Sequence, residues 1–304
     1  MLHVVIMAGG KGTRFWPLSR KVKAKQFIDI VGSKSLIKNT VERLHPLVSK
    51  KNIWVVTNKD QKKFLLKEKL GLPTDQILYE PCGKNTAPCI GWAAFEIHKK
   101  DPEAIMIVLP ADHYIKKQAN FRNTLKTAAD FVKKNDCLMT IGIKPTFPHT
   151  GYGYIEVFKN TNKNKIEKIN TFKEKPDFLT AQKYFTSGKF LWNSGMFVWK
   201  ATKILGLLKK HLPNSYKTLA KIAKVSQNPS ELAKLYNKLE SISLDYGIME
   251  KSIDQTYLIE SNFEWSDVGN WKALEELWQK DSDNNAIKGK VLSLGSKNNI
   301  VFAA

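Results

Sequence analysis

Cysteine is nearly missing from this 304-residue chain: it occurs three times, as Cys82, Cys89 and Cys137. The three form no CxxC pair and are odd in number, which argues against a disulfide framework and against a thiolate zinc site, and suits a reducing cytoplasm. No stretch approaches the roughly 20 uninterrupted apolar residues of a membrane-spanning helix. The opening MLHVVIMAGG has no basic region ahead of its short apolar run, which ends in glycines, so it does not read as a secretory signal. Arginine is scarce as well: Arg14, Arg20, Arg43 and Arg122 are the four among 49 basic residues.

Lysine is what the chain has in excess, and it carries the formal net charge to +21. Such a balance invites a nucleic-acid ligand, because clustered cations release counterions from a phosphate backbone. The distribution argues the other way. Segments such as KTLAKIAK and KKFLLKEK scatter lysine over what read as polar helix faces, and no helix-turn-helix, zinc-finger or aromatic RNA-binding pattern is present. Neither nucleic acid nor membrane is expected as a partner, whereas small anionic substrates remain compatible with the charge. With 42% hydrophobic residues the chain can bury a substantial core, so one large domain, or one with a small appendage, is expected.

The first half alternates strand and helix. LHVVIM (2–7), NIWVVT (52–57), QILYE (76–80), AIMIVLP (104–110) and CLMTIGI (137–143) read as strands. Between them SLIKNTVERL, KDQKKFLLKEKL, NTAPCIGWAAFEIHKK and ANFRNTLKTAADFVKK carry helical spacing. That alternation predicts an α/β fold with right-handed crossovers and a mainly parallel sheet. After residue 145 the texture becomes β-rich, then helical from 201 to about 240, and the tail AIKGKVLSLGSKNNIVFAA reads as strands and turns. No internal repeat or low-complexity linker interrupts it. The division expected is a catalytic-sized domain over 1–280, with 281–304 the start of a C-terminal β segment, either in a minimal form or cut short.

Ligands of open α/β sheets bind beyond the carboxyl ends of the strands. MAGGKGTRFWPLSR (7–20) stands there, directly after the first strand, with Gly9, Gly10 and Gly12 able to let an anion approach bare backbone and Lys11 and Arg14 adding charge. It is neither a Walker A loop nor a GxGxxG fingerprint, and a tight basic turn is the competing reading. Lys25, in KAKQF, can reach back to the same place. Asp112 follows the apolar run IMIVLP and could hold Mg2+ over phosphates, or simply make a turn. Asp267, in WSDVGNW, is a metal-ligand candidate if it meets Asp112 in space, and otherwise a helix cap. Glu174, Lys175, Asn193, Ser194 and Asp245 are polar residues in apolar or turn-rich surroundings, suited to a polyol pocket or to satisfaction by backbone.

Together these segments resemble the sugar-1-phosphate nucleotidyltransferase family. AGGKGTRFWPLSR followed by KAKQF is similar to its GxGTRxxPLS…PK signature, and the FW before PLS and the QF after the lysine favour the mannose branch. EPCGKNTAPCI, PADHYI, TGYGYIE, FKEKPD, WNSGMFVW, SLDYGIMEK and WSDVGNW follow in the family's order, so the likeness covers residues 2 to about 275. It implies a Rossmann-like mixed sheet flanked by helices, with the β-rich excursion binding sugar. It further implies a reaction in which GTP and mannose 1-phosphate give GDP-mannose and pyrophosphate, with Mg2+ as cofactor.

By motif, Ala8, Gly9, Gly10, Gly12 and Thr13 would meet the nucleotide, and Glu80, Asn85 and Thr86 would border the base. Arg14 and Lys25 would counter the triphosphate as catalytic residues, and Asp112 and Asp267 would bind the metal. Gly153, Glu174, Lys175, Asn193 and Asp245 would take the sugar phosphate. One position departs from the pattern: Lys84 stands where the segment has arginine, losing planar bidentate recognition. Another nucleoside triphosphate or hexose 1-phosphate therefore stays open, as does a non-catalytic binding regulator. The resemblance also leaves room for a homodimer.

Overall fold

The runs LHVVIM and IMIVLP become adjacent strands at the middle of a nine-stranded sheet. The computed structural model describes residues 1–10, 13–20, 23–158 and 166–303. Strands β1 (Leu2–Met7), β2 (Ile53–Asn58), β3 (Ile77–Glu80) and β4 (Ile105–Pro110) are parallel in the order β3-β2-β1-β4. Their unbroken Val and Ile content follows from burial on both faces: Val4, Val5, Ile6, Ile107 and Val108 have no exposed surface. The chain steps outward from β1 to β3 and then returns to the other side of β1, which puts a topological switch point between β1 and β4.

Beyond a short β5 (Tyr114–Ile115), the second half of the sheet is built from β6 (Leu138–Ile143), β7 (Tyr154–Val157), β8 (Ile166–Lys173), β9 (Phe190–Lys200) and β10 (Thr256–Glu260). The long β9 lies antiparallel between β4 and β6, while β10 runs parallel to β6. β8 pairs with β10 and β7, and β7 returns to the first residues of β9, so β9-β6-β10-β8-β7 closes into a ring. β11 (Trp265–Ser266) pairs with β5 and brings the C-terminal part of the chain back to the end of β4.

Helices cover both faces. On one, α1 (Leu36–Glu42), α2 (Lys62–Lys67) and α4 (Gln118–Asn135) bury Ile37, Val41, Leu65, Phe121 and Leu125; α5 (Phe178–Ser187) adds Ala181. On the other, α3 (Thr86–Lys100) packs under α6 (Ala201–His211), α7 (Pro213–Val225) and α8 (Pro229–Asn237). A Cβ on Gly91 would sit 2.6 Å from Leu219 Cδ1, so glycine lets α3 approach α7 this closely. Ser35, Asp177 and Asn228 cap α1, α5 and α8, and proline opens α7 and α8. The segment KDQKKFLLKEKL, expected as one helix, forms a 3-10 turn and then the short α2, and Lys69 and Gly71 at positive φ end it.

A third apolar cluster joins Phe15, Ile28, Ile30 and Leu36 to Val268 and Leu274, the last in α9 (Lys272–Leu277). The parallel pair β12 (Ala286–Lys288) and β13 (Ile300–Phe302) leans on it through Phe302, which faces Trp271 and Trp278. Among the described residues no helix is long and apolar enough to cross a membrane. Because β4 sits at the switch point and Ile107 is wholly enclosed there, Ile107→Ala is expected to lower the unfolding free energy by about 2–5 kcal/mol, read by urea denaturation.

Candidate active site

A cavity of about 460 Å3 opens over the carboxyl ends of β1, β3 and β4. Ala8, Gly9 and Gly10 form its floor on the β1 side. The carbonyl of Ala8 accepts hydrogen bonds from Gln26 Nε2 (2.6 Å) and Thr57 Oγ1 (3.0 Å), and that of Gly10 accepts from Gln61 Nε2 (3.0 Å). Buried glutamines thus occupy the loop's carbonyls. Gly12 and Lys11 lie outside the described residues, as does the side chain of Thr13, whose backbone opens a 3-10 turn over Thr13–Phe15. Arg14 is in that turn, exposed, and is not part of the cavity wall.

Lys25 is not in the wall either, yet it organises it. Its ammonium is buried, paired with Asp112 Oδ2 at 2.7 Å, and donates to the carbonyls of Asp267 (2.6 Å) and Val268 (3.0 Å). Val268 has φ +47°, a conformation that a β-branched residue adopts only under constraint from its surroundings. Its side chain is wholly enclosed in the cluster with Phe15 and Leu274. Successive carbonyls consequently converge on one cation. Asp112 and Asp267, remote in sequence, are brought to one end of the cavity around Lys25.

Burial alone would raise the Asp112 carboxyl, but Lys25 and the neighbouring His113 outweigh it and hold the group below its ordinary value. Tyr152 donates its hydroxyl to Asp267 Oδ1 at 2.7 Å, and burial together with Asp267 pushes the phenol well above its usual range. Burial drives His113 down to about 4, so the ring is neutral. Trp265 Nε1, which can only donate, reaches His113 Nδ1 at 3.0 Å and so leaves the imidazole proton on Nε2. Arg43, buried beneath, donates to the His113 carbonyl at 3.0 Å. The carboxylates lining this end of the cavity are those of Asp112 and Asp267. Among the described residues no group of three or more His, Cys, Asp or Glu could enclose a metal. That combination fits Mg2+, which binds through one or two carboxylates and completes its shell with water and substrate phosphates.

The opposite end is also acidic. Asp245 begins a π-helical turn (Asp245–Met249), accepts from Asn193 Nδ2 at 3.1 Å, and is raised to about 6 by burial and by Glu174. Glu174 pairs with Lys175, which holds a positive φ of 39°, and a Cβ on Gly153 would come 2.8 Å from Glu174 Oε2. The carbonyl of Gly153 accepts from the Asn193 amide at 2.8 Å. Ser194 instead turns into the sheet and donates to the Ile141 carbonyl at 2.6 Å.

Toward β3, Asn85 (φ 67°) and Thr86 open α3, and the Thr86 hydroxyl accepts from the Leu244 amide at 2.8 Å. Glu80 is buried, raised to about 7 by that burial, and accepts from Tyr236 at 2.5 Å. Lys84 lines the cavity, but its ammonium caps the end of α8 at the Asn237 carbonyl, 2.9 Å away. Tyr152, Tyr236 and Gln61 are given no role by the sequence, and Gln26 only a place in the quoted KAKQF segment. Tyr152 lies inside the quoted TGYGYIE segment, whereas nothing local marks Tyr236 or Gln61.

Lys25→Met would leave Asp112 and both carbonyls without their donor. The expected loss is about 1–3 kcal/mol of stability near neutral pH, measured by guanidinium denaturation. Asp112 has a depressed value, so the stability this pair adds is present above the ordinary carboxyl range and is lost as the pH falls through the folded-state value. The gap between wild type and variant should therefore narrow below about pH 4.

The Nucleotidyl transferase family model matches residues 3–284. The chain is 37% identical over 307 residues to Xanthan biosynthesis protein XanB of Xanthomonas campestris pv. campestris, covering 99% of this chain and 64% of that protein. It is 35% identical over 310 residues to mannose-1-phosphate guanylyltransferase of Escherichia coli, covering 98% and 66% respectively. The chain thus spans just under two thirds of the length of these relatives. A solved structure named mannose-1-phosphate geranyltransferase, from Thermus thermophilus, superposes with a TM-score of 0.84 at 31% identity, over 95% of this chain and 82% of that one. With the matched family model spanning nearly the whole chain and relatives above 30% identity, this protein belongs to the nucleotidyl transferase family.

Proposed function

We propose that the chain catalyses guanylyl transfer from GTP to mannose 1-phosphate, releasing pyrophosphate and forming GDP-mannose. The observation that carries this reading is the convergence of Asp112 and Asp267 around Lys25 in the same cavity as the glycine loop and the Glu174, Asn193 and Asp245 cluster. One end offers carboxylates for a phosphate-bound cation, and the other offers paired acceptors and donors for sugar hydroxyls. The names borne by the relatives from Escherichia coli and Vibrio cholerae support mannose 1-phosphate as the acceptor.

In this reading a phosphate oxygen of mannose 1-phosphate attacks the α-phosphorus of GTP in line. A new P–O bond forms as the bond to the β-phosphate oxygen breaks, and its electron pair leaves with pyrophosphate. No covalent enzyme intermediate is required, so positioning and charge neutralisation carry the rate. Gly9 and Gly10, with Gly12 and Thr13 after them in sequence, cradle the nucleotide; Arg14 supplies positive charge at the triphosphate, while Lys25, its three N–H bonds taken by Asp112 and the Asp267 and Val268 carbonyls, acts by holding those groups in place. Lys175 meets the sugar phosphate, and Gly153, Glu174, Asn193 and Asp245 orient the sugar. Asp112 and Asp267 would hold Mg2+, which would supply Lewis-acid charge neutralisation at the phosphates. The catalytic unit corresponds to residues 1–280, with 281–304 as the start of a C-terminal β segment.

Glu80 supports guanine as the base. It is a buried acceptor that no cation among the described residues pairs with, and Lys84 beside it is engaged at Asn237. The N1–H and N2–H donors of guanine lie side by side and suit a carboxylate; adenine presents an acceptor at N1.

The test is chromatographic detection of GDP-mannose from GTP, mannose 1-phosphate and Mg2+. Asp112→Asn and Asp267→Asn are each expected to lower the rate by at least about 100-fold, with circular dichroism unchanged. Near-normal rates in both variants would remove the metal assignment. Gly9→Ala places a Cβ 2.7 Å from Glu80 Oε2, and should raise the KM for GTP by at least about tenfold through displacement of that carboxylate.

A further inference from the structure

The segment carrying α8 belongs to none of the glycine-rich, aspartate-bearing or sugar-side motifs, yet it delivers one side chain to the wall behind the cavity. Tyr236 is completely enclosed, its ring 5.7 Å from that of Trp92, and its hydroxyl donates to Glu80 Oε1 at 2.5 Å. The other oxygen, Oε2, lies against Gly9 at the cavity floor, where a Cβ would approach it to 2.7 Å. α8 is held at both ends. Asn228 caps its first turn, while Lys84 donates to the Asn237 carbonyl and Cys82 Sγ lies 3.1 Å from Asn237 Oδ1.

We propose that Tyr236 is a positioning residue for base selection: by holding one oxygen of Glu80, it fixes the other toward the adjacent donors of a guanine base. The proposal rests on the reading of the cavity as a GTP site. A carboxylate free to rotate could meet either edge of several bases, whereas one pinned at Oε1 presents a single acceptor in one direction. The tyrosine never touches substrate, since it is absent from the cavity wall.

The pair also sets a pH dependence. The groups facing Glu80 are Tyr236 from α8, Cys89 from α3 and the Gly9 backbone; Cys82 after β3 acts on Tyr236, and Lys84 is turned to α8. Burial pushes the Tyr236 and Cys89 ionisations well above their ordinary values, so both stay neutral around pH 7. Burial raises Glu80, and the Tyr236 hydrogen bond offsets part of that rise. Guanine needs the ionised carboxylate, so kcat/KM for GTP should climb as pH rises through the Glu80 value. Removing the hydroxyl raises that value and moves the acid limb to higher pH.

The experiment measures kcat and KM of the full chain for GTP and ATP between pH 6 and 9, with saturating mannose 1-phosphate and Mg2+, for wild type, Tyr236→Phe and Glu80→Gln. For Tyr236→Phe, the expected results are a rise of about tenfold in the KM for GTP at pH 7, a smaller change in kcat, a reduced preference over ATP and an acid limb displaced upward. Glu80→Gln, which cannot ionise, should lose the limb. That variant decides the matter should Tyr236→Phe fail to fold. An unchanged GTP KM and limb in Tyr236→Phe, or a wild-type limb in Glu80→Gln, overturns the role of Tyr236 and leaves the GTP reading standing. A wild type that prefers ATP overturns the GTP reading and the proposal together.

Discussion

The ammonium of Lys25 is the point on which the site depends. It joins three segments that are distant in sequence: its own 3-10 turn after the glycine loop, Asp112 at the end of β4, and the Asp267–Val268 carbonyls beyond β11. A buried ammonium needs partners for each of its N–H bonds, and this one has three, so the arrangement satisfies the cation while closing the floor of the cavity. The left-handed conformation of Val268 is a local consequence, held by the side chain's enclosure against Phe15 and Leu274. The Tyr152 hydroxyl on Asp267 extends the same network into the segment that carries Gly153.

Charge is distributed unevenly along the cavity, and this separates its ends. Asp112 is kept ionised by Lys25, whereas Asp245 and Glu80 are raised toward neutrality by burial, Asp245 with help from Glu174. An ionised carboxylate suits a metal-bound phosphate. Carboxyls poised between pH 6 and 7 suit hydroxyls and base edges, whose hydrogen bonds favour whichever form completes them. Among the described residues the excess of lysine has no counterpart in the wall, where Lys84 and Lys175 already have partners. The net charge therefore describes the outer surface more than the site.

Much of the architecture was legible because it is local. The Val- and Ile-rich runs could only be strands buried on both faces, and their alternation with helices implied the parallel half of the sheet. The position of β9 was not legible: the antiparallel place of FLWNSGMFVWK between β4 and β6 is set by pairing across the chain. The motif segments pointed to the residues that line the cavity, including Asp112, Asp267 and Asn193, because their family resemblance is carried in contiguous words of sequence. Tyr236 and Gln61 carry no such word. Their importance comes from contacts with residues remote in sequence, Glu80 for the first and the Gly10 carbonyl and Gln26 for the second. The shortening of α2 has a simple cause as well, since lysine-rich periodicity extends past the point where Lys69 and Gly71 turn the backbone.

The most direct measurement is pyrophosphate release by the purified chain with Mg2+, with GTP, ATP, CTP and UTP each crossed against mannose 1-phosphate and glucose 1-phosphate. The account predicts a dominant signal for GTP with mannose 1-phosphate and little from the other pairs. Equal release with all nucleotides would contradict the role given to Glu80. No release from any pair, by a folded chain that still binds nucleotide, would contradict the transferase reading of the cavity.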